Sequence, residues 1–174
     1  MKYFVKFFVV TSLLILCTYA SAETKVVYMD LKFILNNSKA GKGAQDYLKK
    51  TFQDNQKQFK QQEDDLKKEE NDLLAKKNIL DKEQYRAKTD DLRKKVIDYQ
   101  TKRRGSIEKI TKQRADARQA LLEKLDPIIN TYIDENNISL VIDKKFTIGG
   151  NTNLDITDII IEKLNKELPS LSIK

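Results

Sequence analysis

Residues 52–80 read FQDNQKQFKQQEDDLKKEENDLLAKKNIL, and this stretch decides the fold. Every seventh residue in it is large and apolar: Phe52, Phe59, Leu66, Leu73 and Leu80. A seven-residue repeat places such side chains along one stripe of an α-helix. The stretch belongs to a longer run, residues 44–126, which contains no proline and a single glycine, as is typical of long helices.

The neighbouring position of the same repeat is polar. It holds Asn55, Gln62, Glu69 and Lys76. A seam that is apolar at only one of its two heptad positions guides two helices together without packing a tight core between them. An ordinary coiled coil with a weak interface is the plainest interpretation of this pattern.

A turn interrupts the helical pattern near residues 78–82. Asp81 followed by Gln84 resembles a capping box, and a new helical phase begins at Tyr85. The apolar stripe then continues through Leu92, Val96, Tyr99, Ile107, Ile110, Ala117, Leu121 and Leu125. Arg103 and Arg114 interrupt that stripe. We expect residues 44–125 to form an antiparallel hairpin with its tip near residues 78–82. Because the arm has few apolar residues for its length, we expect it to flex, with its root firmer than its tip.

The first 22 residues have the pattern of a secretory signal. Lys2 and Lys6 flank the start of an apolar run, and Ala20-Ser21-Ala22 supplies a small-residue cleavage site. We expect a Sec-type signal peptide cleaved after Ala22; lipid attachment at Cys17 is the alternative. Removal of the two lysines lowers the net charge from +7 to +5.

Composition argues against an enzyme. The chain has no His and no Trp, and its single Cys lies within the predicted signal. The carboxylate pairs Asp64-Asp65 and Glu69-Glu70 are adjacent on a helix, so their side chains do not converge. The spacing around Gly41 and Gly43 is not that of a phosphate loop. We therefore expect no catalytic residues, no metal, no cofactor and no nucleic acid partner.

The two ends of the mature chain carry the β-prone segments. We predict strands at residues 25–29, 138–142 and 146–148, and a short helix capped by Asp30. Asp126-Pro127 has the pattern of a new helix start, and Asn136-Asn137 the pattern of its end. A last helix is predicted from Ile156 to Leu168 with Asp155 or Thr157 as its cap, followed by a frayed tail.

Strands at opposite ends of the chain pair only if the long insert returns to its origin, which independently favours the hairpin. The predicted fold is mainly α with a small β part: a hairpin arm inserted in a small α+β body made of residues 23–43 and 126–174. Such a small body is marginal alone, so we expect oligomerisation through a shared β-sheet or barrel. Its predicted contact residues are Val26, Val27, Tyr28, Ile138, Leu140, Ile142, Phe146 and Ile148.

Both ends also resemble a known family. Residues 26–44, VVYMDLKFILNNSKAGKGA, are similar to the opening of the Skp/OmpH family of periplasmic chaperones. Residues 125–128 (LDPI), 138–143 (ISLVID) and 154–157 (LDIT) are similar to its closing segments. The resemblance implies a periplasmic homotrimer whose arms enclose unfolded outer-membrane proteins without ATP. Family members also contact lipopolysaccharide, but no set of basic residues here matches residue by residue.

The arm supplies the predicted client-binding residues. They are the apolar Phe52, Phe59, Leu66, Leu73, Leu80, Tyr85 and Tyr99 and the basic Arg86, Arg93, Lys94, Lys95, Arg103 and Arg104. We expect most of the apolar ones to form the seam, with clients contacting its edges. The basic ones are either a solvated face or a lining that attracts acidic clients or anionic lipid. A structural, envelope-tethering coiled coil and a lipid-binding module are the alternative functions.

Overall fold

The computed structural model describes residues 24–173. The predicted signal peptide, its cleavage site and the alternative lipid site therefore lie outside the described residues. The chain is mainly helical with a small strand part, as predicted. Its elements in order are β1 (Val26–Met29), α1 (Leu31–Asn37), α2 (Lys39–Ala75), α3 (Lys82–Glu135), β2 (Leu140–Asp143), two 3₁₀ turns (Lys144–Phe146 and Thr152–Leu154) and α4 (Thr157–Glu167).

Helices α2 and α3 form the predicted antiparallel hairpin. They have 37 and 54 residues, which corresponds to about 55 Å and 80 Å at 1.5 Å per residue. At the tip, Asp81 caps α3 as predicted, because its carboxylate accepts a hydrogen bond of 2.8 Å from the backbone N–H of Gln84. Leu92, Ile110, Ala117 and Leu121 are buried along α3.

The return of α3 brings the chain ends together. Strands β1 and β2 pair in parallel, with Val26 opposite Leu140 and Met29 opposite Asp143. Residue Asp155 forms a further parallel bridge to Tyr28 on the other side of β1. The pairing of the two terminal strands is therefore confirmed within one chain, although β2 begins two residues later than predicted.

The body core lies where these strands meet the root of the arm. Four side chains from three helices are fully buried there: Ile34 of α1, Leu125 of α3, and Ile160 and Leu164 of α4. Asp30 caps α1 as predicted, accepting a 2.7 Å hydrogen bond from Phe33 N–H. The body and the hairpin thus share one core through α3.

The helical start predicted at Asp126-Pro127 is wrong. Helix α3 continues from the tip of the arm to Glu135, with Pro127 inside it. An internal proline costs about 3 kcal/mol, but Leu125 and Ile128 on either side of it are buried in the core. Tertiary packing therefore holds the helix through the proline, and one continuous helix joins arm and body.

The strand predicted at residues 146–148 is also not formed. Lys144–Phe146 is a 3₁₀ turn capped by Asp143, whose carboxylate accepts a 3.1 Å hydrogen bond from Lys145 N–H. The hydroxyl of Thr147 donates back to the carbonyl of Lys144 at 2.8 Å. Local side-chain hydrogen bonds of this kind compete with strand formation.

Two expectations about the C-terminal region need correction. The cap of α4 is Ile156 rather than Asp155 or Thr157, although the Asp155 carboxylate accepts a 3.0 Å bond from Thr157 N–H. The tail is not frayed through residue 173, because Leu171 packs against the core and Ile173 is half-buried. Asn136 ends α3, as expected, and Asn137 follows with a positive φ of 50°.

Candidate functional site

The candidate site is the surface of the hairpin, where clefts open between α2 and α3, two of them in its middle and outer part. One cleft, of about 540 Å³, is lined by Phe52, Phe59, Arg103 and Ile107 among others. The second, of about 590 Å³, lies nearer the tip and is lined by Leu66, Leu92, Val96 and Ile97 among others. Glu63 and Tyr99 border both clefts.

An aromatic contact separates the clefts. The rings of Phe59 and Tyr99 meet edge to face, with centroids 6.0 Å apart and planes inclined by 72°. The hydroxyl of Tyr99 lies 3.3 Å from the Glu63 carboxylate, to which it donates a hydrogen bond. The two predicted client residues Phe59 and Tyr99 are thus brought together, but mainly to hold the two helices to each other.

Polar contacts hold the seam where apolar ones are missing. Asn55, from the polar heptad position, donates a 2.8 Å hydrogen bond to the Ser106 hydroxyl across the hairpin. Lys95 of α3 joins the helices by a contact of 2.6 Å to Glu69 of α2, and it also lies 3.0 Å from Asp91 on its own helix. Hydrogen bonds to these two carboxylates raise the pKa of Lys95. The seam is therefore half polar, as the repeat predicts.

A second ion pair lies beside the aromatic contact. Lys67 and Glu63, one turn apart on α2, are 2.6 Å from each other. The hydrogen bond from Lys67 lowers the pKa of Glu63, and the bond to Glu63 raises the pKa of Lys67. Both side chains stay charged at neutral pH, so the apolar patches of the arm are surrounded by fixed charges.

The predicted apolar residues divide into two groups. Leu73 is buried, whereas Phe59, Leu66, Leu80, Tyr85 and Tyr99 are half-buried along the seam. Phe52 lines the first cleft and is 40% exposed. Phe52 is thus the stripe residue most open to a ligand, while the others serve the hairpin as well.

Several exposed apolar residues of the arm were not among the predicted client-binding residues. These are Tyr47, Leu74, Ile79, Ile97 and Ile107, with exposed fractions from 49% to 80%. Three of them belong to apolar doublets, Leu73-Leu74, Ile79-Leu80 and Val96-Ile97. Adjacent residues on a helix point in different directions, so Leu73 and Val96 enter the seam while Leu74 and Ile97 face outward. Ile79 and Leu80 lie in the turn between α2 and α3, where Leu80 is half-buried and Ile79 is exposed. Apolar doublets are therefore a sequence signal for exposed apolar residues, which the heptad pattern alone does not include.

The predicted basic residues are exposed and do not converge. They extend along α3 from Arg86 to Arg104, a distance of about 27 Å on the helix axis. Arg93 lies 3.3 Å from Asp90, and Lys95 has the two carboxylate partners described above. Arg103 lines the first cleft. Basic side chains spread over this length form a solvated face of α3 and do not form a single anion-binding site.

The predicted oligomerisation residues also divide by exposure. Val27 and Ile138 are buried in the core of this chain, and Tyr28 is covered by Lys144 and donates to the Asn151 carbonyl at 3.2 Å. By contrast, Leu140, Phe146 and Ile148 are exposed by 52% or more. Val26 and Ile142 are half-buried. The exposed three remain candidates for contact with a second copy.

Among residues 24–173, no helix combines the length and apolar character needed to cross a bilayer. In the same range, no three or more His, Cys, Asp or Glu side chains are grouped so as to hold a metal ion.

Comparison with known proteins defines the family. The profile of the OmpH-like outer membrane proteins matches residues 25–164, most of the chain and all of the hairpin. The chain therefore belongs to the OmpH-like family. No curated protein matches the chain.

Among solved structures, the fold is similar to that of an OmpH-like protein of Caulobacter crescentus CB15 described as an outer membrane chaperone. The two chains superpose with a TM-score of 0.79 at 20% sequence identity. The match covers 89% of this chain and 92% of that one. At this identity the likeness concerns the fold: a hairpin of two long helices on a small body.

Proposed function

We propose that this protein is an ATP-independent holdase chaperone of the periplasm, which binds unfolded outer-membrane proteins along its helical arm and prevents their aggregation. The observation that carries the proposal is the exposure of large apolar side chains on a hairpin whose seam is half polar. Phe52, Ile97 and Ile107 are 40%, 63% and 51% exposed on the arm. Family membership and the fold of the Caulobacter protein support the same function.

The arm has the chemistry that such clients require. An unfolded outer-membrane strand exposes apolar residues at alternate positions and aggregates through them. Isolated apolar side chains, each separated from the next by charged residues, offer many weak contacts and no continuous surface on which a client would collapse. The surrounding ion pairs, such as Lys67–Glu63 and Lys95–Glu69, keep the arm itself in solution. Binding of this kind makes and breaks no covalent bond, so we propose no enzymatic activity.

The assembly is proposed to be a homotrimer held by the bodies. Within one chain, Leu140, Phe146 and Ile148 are exposed at the β2 end of the body, where a neighbouring copy would cover them. The number three follows from the family resemblance. Sedimentation equilibrium of the mature chain tests it, and a monomeric mass would contradict this part of the proposal.

Light scattering of a diluted, urea-unfolded porin tests the holdase function. We expect one trimer per porin to suppress aggregation with no nucleotide present. The rival function, a structural coiled coil that tethers the envelope, leaves aggregation unchanged, and that result would overturn the proposal. Binding to lipopolysaccharide without a protein client, lost at high salt, would instead favour the lipid-binding alternative.

A further inference from the structure

The C-terminal tail lies against the root of the arm, where residues 171–173 and α3 line the same cleft. Residues 169–173 have no regular secondary structure and follow the last backbone hydrogen bond of α4, from Leu168 N–H to the Leu164 carbonyl. Leu171 and Ile173 are half-buried, while Ser172 between them is exposed. The two apolar residues of the tail are thus partly covered by the rest of the chain, and the polar residue between them is open to solvent.

The surface beneath the tail is one face of α3. Gln113, Ala117 and Ala120 are spaced four and three residues apart, so their side chains lie on the same side of the helix. Together with Asp116 they enclose a cleft of about 210 Å³ against residues 171–173. The two alanines leave the helix backbone close to the tail. We call these four residues the tail-docking face.

Apolar contact holds the tail in place. Leu171 packs against the body core, to which α3 contributes Leu121, Leu125 and Ile128. Tethering also favours occupancy of the site by the tail. A segment joined to its site by a short linker acts at an effective concentration of about a millimolar. A site with low affinity for a free peptide is therefore filled by its own tail. The family match ends at residue 164, so it does not include this segment.

The tail has the sequence character of the proposed clients. Leu171-Ser172-Ile173 alternates apolar and polar residues, as the strands of outer-membrane barrels do. We propose that the tail-docking face binds extended client segments with apolar residues at alternate positions, and that the tail occupies it until a client displaces it. This inference rests on the proposed holdase function and adds to it an internal competitor at the root of the arm.

A peptide-binding experiment tests the proposal. The chain is truncated after Leu168, and a fluorescein-labelled peptide of residues 169–174 is titrated with the truncated and full-length proteins. We expect the truncated protein to bind the peptide at least tenfold more tightly, because its site is empty. A peptide carrying L171S and I173S is the matched control and should not bind. Equal binding to the two proteins, or binding to neither, would overturn the proposal.

Three further variants guard against loss of structure. Full-length L171S/I173S keeps the chain length, and it should bind the peptide like the truncated protein while S170A, at an exposed tail position, behaves like the wild type. Ala120→Asp in the truncated protein places a charge on the tail-docking face and should abolish binding. Helicity by circular dichroism is compared for all of them. Peptide binding that A120D leaves unchanged would contradict the assignment of the face.

Competition between the bound peptide and an unfolded porin tests whether clients bind at the tail-docking face. Urea-unfolded porin, diluted into the complex of truncated protein and peptide, should release the peptide. A peptide that stays bound while the same porin is kept from aggregating would contradict the internal-competitor role and leave the holdase function intact. Failure of the full-length protein to suppress aggregation would count against the holdase function, whatever the peptide does.

Discussion

The body and the arm are built by the same helix, α3, in two different ways. In the body, Leu125 of α3 is fully buried among side chains of α1 and α4. In the arm, Leu92 is buried against α2, but Ile97 is 63% exposed. Elements that pack on several sides of a helix bury its apolar residues, whereas a single partner covers one stripe. Stability is therefore concentrated in the body, and apolar surface remains available on the arm.

The polar contacts follow the same division. The body places its hydrogen bonds at junctions: Asp30 N–H donates to the buried Thr157 hydroxyl at 2.9 Å, which joins β1 to α4. The arm places its hydrogen bonds across the seam, as between Asn55 and Ser106. Junction bonds fix the relative positions of several elements, while the seam bonds substitute for missing apolar contacts. We therefore expect the arm to open locally more often than the body.

The largest expected effect comes from removing a body core side chain. Leu125→Ala should lower the free energy of unfolding by about 2–5 kcal/mol, because it leaves a cavity among fully buried neighbours. Leu92→Ala, the same change on the same helix within the arm, should cost less than about 2 kcal/mol, since fewer groups surround it. Urea denaturation followed by circular dichroism measures both. Equal costs would remove the distinction between body and arm.

A smaller effect is expected at the junction of α1 and α2. A Cβ at Gly41 would lie 1.9 Å from the Leu35 carbonyl oxygen, so Gly41→Ala forces the two helices apart at a cost of about 1–3 kcal/mol. Gly43→Ala has open space around it in the same helix, and should stabilise the protein by about 0.5–1 kcal/mol. Thermal unfolding of the pair separates these outcomes, and a stabilising Gly41→Ala would show that the close approach is not required.

Acid should weaken the body through Asp155. Burial raises the pKa of this carboxyl, but hydrogen bonds from Lys144 and Thr157 outweigh it, so the pKa lies below its ordinary value. A lowered pKa contributes stability that is complete above about pH 4 and is lost as the pH falls through the folded-state value. Asp155→Asn should therefore cost about 1 kcal/mol at pH 7 and progressively less towards pH 3.

The control for this titration is Asp54→Asn, an exposed position on α2. At pH 7 its free energy of unfolding should lie within about 0.5 kcal/mol of the wild-type value. Urea denaturation between pH 3 and pH 7 gives the curves for all three proteins. A difference between wild type and Asp155→Asn that does not change with pH would show that the charge of Asp155 contributes nothing.

Much of this fold is predictable from local sequence signals. The caps at Asp30 and Asp81 and the helix end at Asn136 act through neighbouring backbone groups, so a short stretch of sequence determines them. The pairing of the end strands follows from the return of a long insert. These signals account for the order and position of most elements, including the hairpin and its tip.

The features that the sequence alone does not predict depend on packing between residues that are far apart in the chain. Asp126-Pro127 has the local pattern of a helix start, and only the burial of Leu125 and Ile128 in the body explains why α3 runs through it. The heptad repeat likewise identifies a stripe without giving the rotation of α2 against α3. That rotation leaves Phe52 at the rim of a cleft and Ile97 outside the seam.

The most direct test of the central claim compares one apolar side chain of the arm with one of the body. Phe52 on α2 and Ile159 on α4 are exposed by similar fractions, 40% and 42%. Titration of a labelled, urea-unfolded porin with Phe52→Asp and Ile159→Asp, both checked by ultracentrifugation for unchanged mass, gives the two affinities. We predict that Phe52→Asp weakens binding about tenfold and that Ile159→Asp changes it less than about twofold. Equal effects, or a larger loss at Ile159, would contradict the assignment of client binding to the arm.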